Sequence, residues 1–388
     1  MAVLPVYLDN NATTPVDQRV LAAMLPYFTE RFGNAASRQH AFGWAAEEAV
    51  AIAREQVARL IGADPTEIIF TSGATESDNL AIKGVFELYA GKGNHIITCS
   101  TEHKAVLDTC SHLEKRGASV TYLPVDRQGQ VDLPALEAAI RPGTILIALM
   151  YANNETGVVF PVREMAAIAK KHAVLFFTDA TQAVGKIPVN VQTDGIDLMA
   201  FSAHKLYGPK GVGALYVRRR DPRVRLAAQL DGGGHERGLR SGTLNVPGIV
   251  GLGWAADYCR QEMETEALRL RQLRDRLEKA LLELGGVQVN GGTANRLPHV
   301  TNLSFDQVDG KALLSGFTRH IAVSSGSACT SALPAPSYVL KAMELPDELA
   351  YASVRMAVGR FSTGEEIDYA IGAIQETVNK LRSLNLLV

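Results

Sequence analysis

Lys205 stands in a segment that could place a reactive amine at the end of a β-strand. The apolar run Leu198 to Phe201 precedes it, and glycines and Pro209 follow it, so a tight loop is expected instead of a continuing helix. An amine held there, with hydroxyl and imidazole groups close by, can form a Schiff base with an aldehyde cofactor. Ser202 and His204 supply these groups. A single lysine is far more often a surface amine, so the neighbouring motifs must decide.

Two more motifs follow predicted strands and suit a flat, phosphorylated ligand. Thr71 to Glu76 connects a strand to a helix, and a turn of small residues there exposes backbone N–H groups to a phosphate. Ala74 and Thr75 are the expected contacts. His103, which follows the strand ending at Cys99, can stack on a flat ring or move protons near neutral pH. Taken alone, the first motif could equally be an ordinary turn with a hydroxyl cap, and a lone histidine is more often structural.

Amide and carboxylate groups complete the same set of loops. Asn154 precedes Gly157 after another predicted strand, and Asp179 and Gln182 follow a strongly apolar strand. A carboxylate at the end of a buried strand needs a cationic partner, and a protonated pyridine nitrogen would serve. All five loops fall at one end of a single predicted sheet, which is where α/β sheets bind their ligands.

Short apolar runs alternate with helical patterns from Glu67 onwards, which predicts an α/β fold. The expected strands are Ile68 to Thr71, Ile96 to Cys99, Val120 to Leu123, Ile145 to Met150, Val174 to Thr178, Leu198 to Phe201 and Gly213 to Val217. This pattern favours a mostly parallel seven-stranded sheet between two layers of helices.

A long helix from about Pro247 to Gly285 is expected to lead into a smaller α+β region. The elements expected there are strands near Val287 to Val289, Asn302 to Phe305 and Ile321 to Val323, a helix near Lys311 to Arg319, and a last helix after Thr363. We therefore expect a large domain at 16–260 and a small domain formed by 1–15 and 261–388.

The composition argues against several classes of partner. The 388 residues hold 39 basic and 41 acidic side chains, so there is no electrostatic reason to expect nucleic acid or an anionic membrane as a partner. No apolar run approaches the ~18 residues of a spanning helix, and we expect a cytoplasmic protein. Four cysteines without metal-binding or disulfide-like spacing are expected to be reduced thiols, and no metal site is expected.

Cys329 differs from the other three cysteines in its surroundings. The segment from Ser324 to Pro334 consists mainly of small residues without periodicity, which predicts a mobile loop with no core of its own. Most single cysteines are inert buried side chains. A thiol on an exposed loop can instead reach a reaction partner, so we expect Cys329 to be reactive.

Taken in order, these motifs resemble those of the cysteine desulfurases, which are pyridoxal phosphate enzymes of aminotransferase fold type I in the class V aminotransferase family. The likeness extends from Tyr7 to about Leu381. The matching segments are 7–15, 71–79, 101–105, 153–157, 179–182, 202–211, 232–243 and 324–330. The resemblance implies pyridoxal 5'-phosphate as the cofactor, L-cysteine as the substrate and a homodimer as the working unit.

The resemblance also implies which residues contact the cofactor ring. Lys205 would carry the cofactor as a Schiff base, and Asp179 would pair with the ring nitrogen. His103 would stack on the ring, and Gln182 would reach the ring hydroxyl.

Further contacts implied by the resemblance concern the phosphate and the substrate. The phosphate ligands would be Ala74, Thr75, Ser202 and His204, joined by Thr243 from the partner subunit of the homodimer. Asn154 and Arg355 would bind the substrate, Arg355 through the bidentate fit of a guanidinium to an α-carboxylate.

In this family, the cysteine at the position of Cys329 takes the sulfur of L-cysteine as a persulfide and leaves L-alanine. Lys205 would remove the α-proton, and His103 is the nearest candidate to help deprotonate a thiol. Residues 326–338 resemble the longer loop of members that serve iron-sulfur cluster assembly, so we expect sulfur transfer to a scaffold or other acceptor protein. The sequence ends at Val388, before the tail with which such members dock their scaffold, and scaffold docking is left open.

Three other functions are consistent with some of these sequence motifs. Selenocysteine lyase shares the fold and the cofactor, and a plain aminotransferase shares the lysine but has no use for a mobile cysteine. A non-catalytic adaptor could keep the fold without the chemistry, although the presence of both Lys205 and Cys329 argues against it.

Overall fold

The structure is a computed structural model that describes residues 4–325 and 336–385. Its strands are β1 (Val6–Tyr7), β2 (Ile68–Thr71), β3 (His95–Cys99), β4 (Ser119–Leu123), β5 (Thr144–Ala148), β6 (Leu175–Asp179), β7 (Leu198–Ser202), β8 (Gly213–Val217), β9 (Val287–Val289), β10 (Val300–Phe305), β11 (Ile321–Ala322), β12 (Ser324–Ser325) and β13 (Ser353–Ala357).

The helices are α1 (Gln18–Met24), α2 (Pro26–Thr29), α3 (Ala41–Ile61), α4 (Ala74–Leu88), α5 (Lys104–Glu114), α6 (Leu133–Ala139), α7 (Val162–Lys171), α8 (Val246–Leu282), α9 (Gly310–Phe317), α10 (Tyr338–Ala342), α11 (Asp347–Tyr351) and α12 (Gly364–Asn385). Short 3-10 turns lie at Pro65–Glu67, Ala203–Lys205 and Glu236–Gly238. No helix within 4–325 and 336–385 is long and apolar enough to cross a membrane.

The central sheet confirms the predicted α/β architecture. Its seven strands lie in the order β2-β8-β7-β6-β5-β3-β4. Only β8 runs antiparallel to its neighbours, and the other pairs are parallel. The carboxyl ends of β2, β3, β5, β6 and β7 therefore meet at one edge of the sheet, together with the start of β8.

Helices cover both faces of this sheet, which explains why its strands appear in the sequence as continuous apolar runs. Alternate side chains of each strand point to opposite faces, so Phe176 and Phe177 of β6 belong to different cores. Helices α3, α7 and α8 pack on the Phe176 face, and α4 and α5 pack on the Phe177 face. Helix α3 ends at Gly62, whose φ of +69° is available to glycine at little cost.

Helix α8 is the longest of the described helices and contributes to two cores. Asn245 caps its first turn by accepting a hydrogen bond from the Gly248 N–H (3.1 Å), and Pro247 fits this turn because no helical N–H is lost there. Its first half, up to Cys259, packs under the central sheet, and Leu270, Leu277 and Leu281 pack in a third core. The helix ends at Leu282, three residues before the predicted Gly285.

The third core lies beneath a second, antiparallel sheet with the strand order β12-β13-β10-β9. The N-terminal arm, residues 4–17, crosses to this region: β1 pairs in parallel with β11, and Val6 and Leu8 are buried in the third core. The division into domains at residue 260 stays a proposal, which the two separate groups of apolar side chains support.

Two details of this second sheet differ from the prediction. The strand expected at Ile321 to Val323 is two short strands, β11 and β12, which pair with different partners. Strand β13 is absent from the sequence interpretation, because it is buried on both faces and so short that it shows no alternation. This strand carries Arg355.

Candidate active site at the carboxyl edge of the central sheet

One cavity of about 610 Å³ lies at the carboxyl edge of the central sheet. Ten of the twelve residues predicted from the sequence to form a site line it: Ala74, Thr75, His103, Asn154, Asp179, Gln182, Ser202, His204, Lys205 and Arg355. Nine of them lie at or just after the carboxyl ends of five strands of the central sheet, and Arg355 lies on β13 of the second sheet. Thr243 does not line this cavity, and its side chain is exposed. Cys329 lies outside the described residues.

Lys205 is held at the end of β7 by a tight turn. Its Nζ donates hydrogen bonds to the backbone carbonyls of Asn11 and Ala12, the latter at 2.7 Å. The turn needs Gly208, because a side chain there would come within 2.9 Å of Ala203. Burial lowers the pKa of the amine to about 8, and the cation of Arg355 adds to the effect. Lys205 is therefore close to the state in which an amine is nucleophilic.

The start of α4 forms a cradle beside Lys205. Gly73, with φ of +154°, directly precedes the helix. Because it has no side chain to cap the helix, the first N–H groups of α4 remain available to a ligand in the cavity. Strand β8 approaches this turn closely: a side chain on Gly213 would lie 2.7 Å from the Gly73 Cα. The positive end of the helix and its N–H groups suit an anion such as a phosphate.

His204 flanks the same cradle as a neutral imidazole. Burial and, to a smaller extent, the nearby Lys205 and Lys210 amines lower its pKa to about 4. Its Nδ1 is 3.1 Å from the Thr13 hydroxyl. The side chain of Ser202, at the end of β7, is also buried in the cavity wall. Both residues can present hydrogen-bonding groups to an anion without adding charge.

Asp179 ends β6 and points into the cavity with 7% of its surface exposed. Its Oδ1 accepts a hydrogen bond from the Thr181 N–H at 2.9 Å, which orients the carboxylate. Gln182, on the following turn, donates through Nε2 to the Asn11 carbonyl at 3.1 Å. A buried carboxylate without a salt-bridge partner in the described residues is suited to a cationic ligand atom.

Two buried carboxyl groups that the sequence interpretation did not include lie near Asp179. Although the Met150 N–H donates to Glu102, burial and, to a smaller extent, the Asp179 charge raise its pKa to about 8. Burial and the same neighbour raise the pKa of Asp78 well above its usual range. Both carboxyl groups therefore favour the protonated form more strongly than a carboxyl group in water does. In the sequence, Asp78 is marked only by its position on an apolar helix face, and Glu102 only by its position beside His103.

His103 caps α5, because its Nδ1 accepts a hydrogen bond from the Ala105 N–H at 3.2 Å. In the neutral form the proton must then be on Nε2. The ring borders the cavity. It is therefore held in one orientation by the helix that it caps.

Arg355 of β13 projects from the second sheet into the cavity. Its Nη2 donates to Asp9 Oδ1 at 2.7 Å, and its Nη1 donates to the Asn154 carbonyl at 3.1 Å. Within 4–325 and 336–385, Arg355 Nε and Asn154 Oδ1 have no hydrogen-bond partner. Guanidinium N–H groups that face a cavity are suited to binding a carboxylate.

The N-terminal arm contributes contacts that sequence reasoning missed. Asn11 accepts from Lys205 and Gln182 through its carbonyl, and its Nδ2 donates to the Asn154 carbonyl at 3.0 Å. Because Nδ2 is the donor, Asn11 Oδ1 accepts from His299 Nε2 at 2.9 Å. The polar run Asp9 to Asn11 within an extended arm was the only sequence signal for this role.

The fold and the site together define a pyridoxal phosphate enzyme of fold type I. The chain belongs to the aminotransferase class-V family, whose model matches residues 6–370. This family uses pyridoxal 5'-phosphate, and the expected cofactor is thereby confirmed.

Particular relatives are similar over almost the full chain. Cysteine desulfurase IscS of Anaeromyxobacter dehalogenans (strain 2CP-C) is 58% identical over 383 residues, which cover 98% of this chain and 94% of the relative. A solved NifS-like protein is 39% identical with a TM-score of 0.90, covering 97% of this chain and 100% of that one. The structure of SspA in complex with cysteine is 37% identical with a TM-score of 0.81, covering 92% and 100%.

The residues present fit this cofactor. The cavity offers an amine with a lowered pKa, a buried carboxylate for the ring nitrogen, and an uncapped helix start for the phosphate. Its volume of about 610 Å³ lies in the range of small-molecule sites. Each chemical feature of the cofactor therefore has a complementary group in the described residues.

Proposed function

We propose that this protein is a cysteine desulfurase, which moves the sulfur of L-cysteine to Cys329 and releases L-alanine. The observation that carries the proposal is the meeting of Lys205, Asp179 and Arg355 in one cavity. An amine, a ring-binding carboxylate and a carboxylate-binding guanidinium are what an amino-acid substrate of a pyridoxal enzyme needs. The near full-length relatives named cysteine desulfurase support the choice of L-cysteine.

The residues that line the cavity would each bind a different part of the cofactor. When bound, pyridoxal phosphate supplies an aldehyde for amines and a ring that can store an electron pair. Asp179 would hold the ring nitrogen, and Ala74, Thr75, Ser202 and His204 would hold the phosphate. Gln182 would reach the ring hydroxyl, and His103 would cover one face of the ring.

The substrate would be oriented by Arg355 and Asn154 through its carboxylate. Lys205 Nζ, once its amine is released, would take the proton from the substrate Cα, since burial lowers the pKa of the amine to about 8 and so makes the neutral form more accessible than in a surface lysine. His103 Nε2 would transfer a proton to or from a thiol. These roles use only groups that line the one cavity.

The sulfur step balances without an external oxidant. The Cys329 thiolate attacks the substrate sulfur, a sulfur–sulfur bond forms, and the carbon–sulfur bond breaks with its electron pair remaining on carbon. Protonation of that carbon gives L-alanine, so L-cysteine and a thiol become L-alanine and a persulfide. Two hydrogen bonds support this assignment, because each joins a residue that flanks segment 326–335 to a neighbour of a cavity residue. Ser324 Oγ donates to Asp9, which binds Arg355 (2.9 Å), and Ser337 Oγ donates to Glu155, which follows Asn154 (2.5 Å).

The central test compares the purified protein with its Cys329→Ser variant. We expect both to bind pyridoxal phosphate, and only the protein with Cys329 to release alanine over repeated turnovers from L-cysteine. A persulfide on Cys329, detected by mass spectrometry after one turnover, would give the sulfur destination. Equal turnover by the variant would exclude a persulfide on Cys329 as the sulfur destination.

We also propose that the working unit is a homodimer in which Thr243 completes the phosphate site of the partner subunit. Its exposure, outside the cavity of its own chain, supports this role. Mixing Lys205→Ala subunits with Thr243→Ala subunits tests it, because a mixed dimer would contain one site with both residues intact. Recovery of activity on mixing is expected. If activity does not recover, Thr243 does not complete the site of the partner subunit.

The persulfide would then be delivered to an acceptor protein, such as an iron-sulfur scaffold, in the cytoplasm. The described cysteines, Cys99, Cys110 and Cys259, are free and buried, which is compatible with a reducing compartment. Labelled sulfur from L-cysteine should appear on an added scaffold protein only when Cys329 is present. Label that stays on this chain in the presence of the scaffold would exclude that acceptor.

A further inference from the structure

The N-terminal arm runs alongside β13 and brings Asp9 next to Arg355. Asp9 forms a parallel bridge with Ala357. The Ala357 N–H donates to the Leu8 carbonyl at 2.7 Å, and the side chain of Asn10 donates to the Ala357 carbonyl at 2.9 Å. Three consecutive residues of the arm are thereby fixed to the strand that carries Arg355, so the position of Asp9 is set by contacts of the residues on either side of it.

Both carboxylate oxygens of Asp9 are used. Oδ1 accepts from Arg355 Nη2 at 2.7 Å, and Oδ2 accepts from Ser324 Oγ at 2.9 Å. Ser324 and Arg355 are directly paired in register on β12 and β13. The carboxylate therefore spans the two neighbouring strands and cannot rotate without losing one contact.

The contacts of Arg355 leave it able to bind a further anion. A guanidinium has five N–H groups, and the described contacts engage one with Asp9 and one with the Asn154 carbonyl. The side chain of Arg355 is only 9% exposed and that of Asp9 17% exposed. A buried arginine with a long side chain loses orientation unless a partner fixes it, and a charge-assisted hydrogen bond does this most strongly.

We propose that Asp9 is a positioning residue for substrate binding: it holds the Arg355 guanidinium, with support from Ser324, in the orientation that receives the α-carboxylate of the amino acid. This inference rests on the proposed role of Arg355 as the carboxylate ligand. Asp9 itself does not touch the substrate in this assignment. Its effect is on affinity for ligands that carry a carboxylate.

The test uses two ligands that differ only in the carboxylate. L-alanine carries it and ethylamine does not, and the binding of each to the cofactor-loaded protein can be followed by titrating the cofactor absorbance. The variants are Asp9→Ala, Asp9→Asn and Arg355→Gln, with cofactor content and melting temperature recorded for each. An asparagine can still accept from Arg355 and contact Ser324, so it is the conservative control for Asp9→Ala.

We expect Asp9→Ala to weaken L-alanine binding about tenfold, the size typical of a lost charge-assisted hydrogen bond, and to leave ethylamine binding unchanged. Asp9→Asn should recover most of the L-alanine affinity. In turnover, Asp9→Ala should raise KM for L-cysteine more than it lowers kcat.

Other outcomes separate this inference from the proposed function. If Arg355→Gln weakens L-alanine but Asp9→Ala does not, Asp9 has no positioning role and the proposed function stands. If Asp9→Ala weakens both ligands equally, its role is general support of the fold and the inference is wrong. If Arg355→Gln leaves L-alanine binding unchanged, the assignment of Arg355 fails and this inference fails with it.

Discussion

Glu155 accepts a hydrogen bond of 2.5 Å from the hydroxyl of Ser337, and the two residues are separated by 182 positions in the chain. Glu155 directly follows Asn154 of the cavity, and Ser337 caps α10 by accepting from the Leu340 N–H. The contact therefore ties the start of α10 to the part of the cavity wall that Asn154 forms. Burial raises the pKa of Glu155 to about 7, despite the opposing effects of Ser337 and Arg355.

Replacing Glu155 by Gln should change the dependence of stability on pH. The folded protein keeps the Glu155 proton up to about pH 7, whereas the unfolded chain releases it near pH 4.5. The contribution of Glu155 is thus fully present below pH 4.5 and is lost as the pH rises through 7. Thermal melts should show that the free energy of unfolding of Glu155→Gln, relative to that of the unmodified protein, rises by roughly 3 kcal/mol between pH 5 and 8.

Ser337→Ala provides the control for this effect. It removes the hydrogen bond but leaves the carboxyl group, so its stability relative to the unmodified protein should vary much less with pH. A Glu155→Gln difference that is constant from pH 5 to 8 would show that Glu155 does not titrate in this range.

The lowered pKa of Lys205 should set the pH at which the protein takes up its cofactor. Only the neutral amine attacks an aldehyde, and burial and Arg355 bring the pKa to about 8. The rate of covalent attachment of pyridoxal phosphate to the apoprotein, followed by absorbance, should therefore rise with a midpoint near pH 8. Arg355→Gln removes a nearby cation and should move the midpoint to higher pH. A midpoint near 10.5 in the unmodified protein would contradict the burial argument.

His103 can be tested separately from its capping role. His103→Asn keeps a good N-cap acceptor for the Ala105 N–H, whereas His103→Ala loses about 1 kcal/mol of stability with the cap. Both variants should lose turnover by about 10²–10⁴-fold, the usual contribution of a general acid–base group. Full turnover by His103→Asn with bound cofactor would remove His103 from the proton-transfer steps.

Asp179→Asn should separate folding from chemistry. The amide can still accept from the Thr181 N–H, so the hydrogen bond that orients the side chain is kept. The melting temperature of the apoprotein should therefore not fall. Turnover should fall at least about 100-fold, because a neutral amide cannot stabilise a protonated ring nitrogen. A variant that turns over normally would show that Asp179 does not serve the ring.

The central sheet could be predicted from the sequence because its order is local. Each strand is a short apolar run bounded by turn formers, as in Val174 to Thr178, and the observed β6 starts and ends one residue later. Buried strands between helices produce this pattern directly. The loops at their carboxyl ends then followed from topology, and ten predicted site residues do line one cavity.

The remaining contacts could not be predicted because they depend on tertiary packing. Asp9 and Asn11 act through partners more than 140 residues away, and nothing in the residues around them identifies those partners. Glu102 and Asp78 are acidic residues that the sequence alone would place at the surface. Arg355 was assigned by resemblance, while its strand escaped notice since it is short and buried on both faces.

The hydrogen bond between Asp9 and Arg355 joins residues 346 positions apart. At about 5–20 residues per second, a ribosome needs roughly 20–70 s to make that stretch of chain. Lys205 precedes Arg355 by 150 positions, so for roughly the last 8–30 s of this time the chain contains Lys205 and the residues of the cradle at α4 without that guanidinium. A growing chain therefore contains the residues proposed to hold the cofactor before it contains the guanidinium proposed to hold the substrate carboxylate.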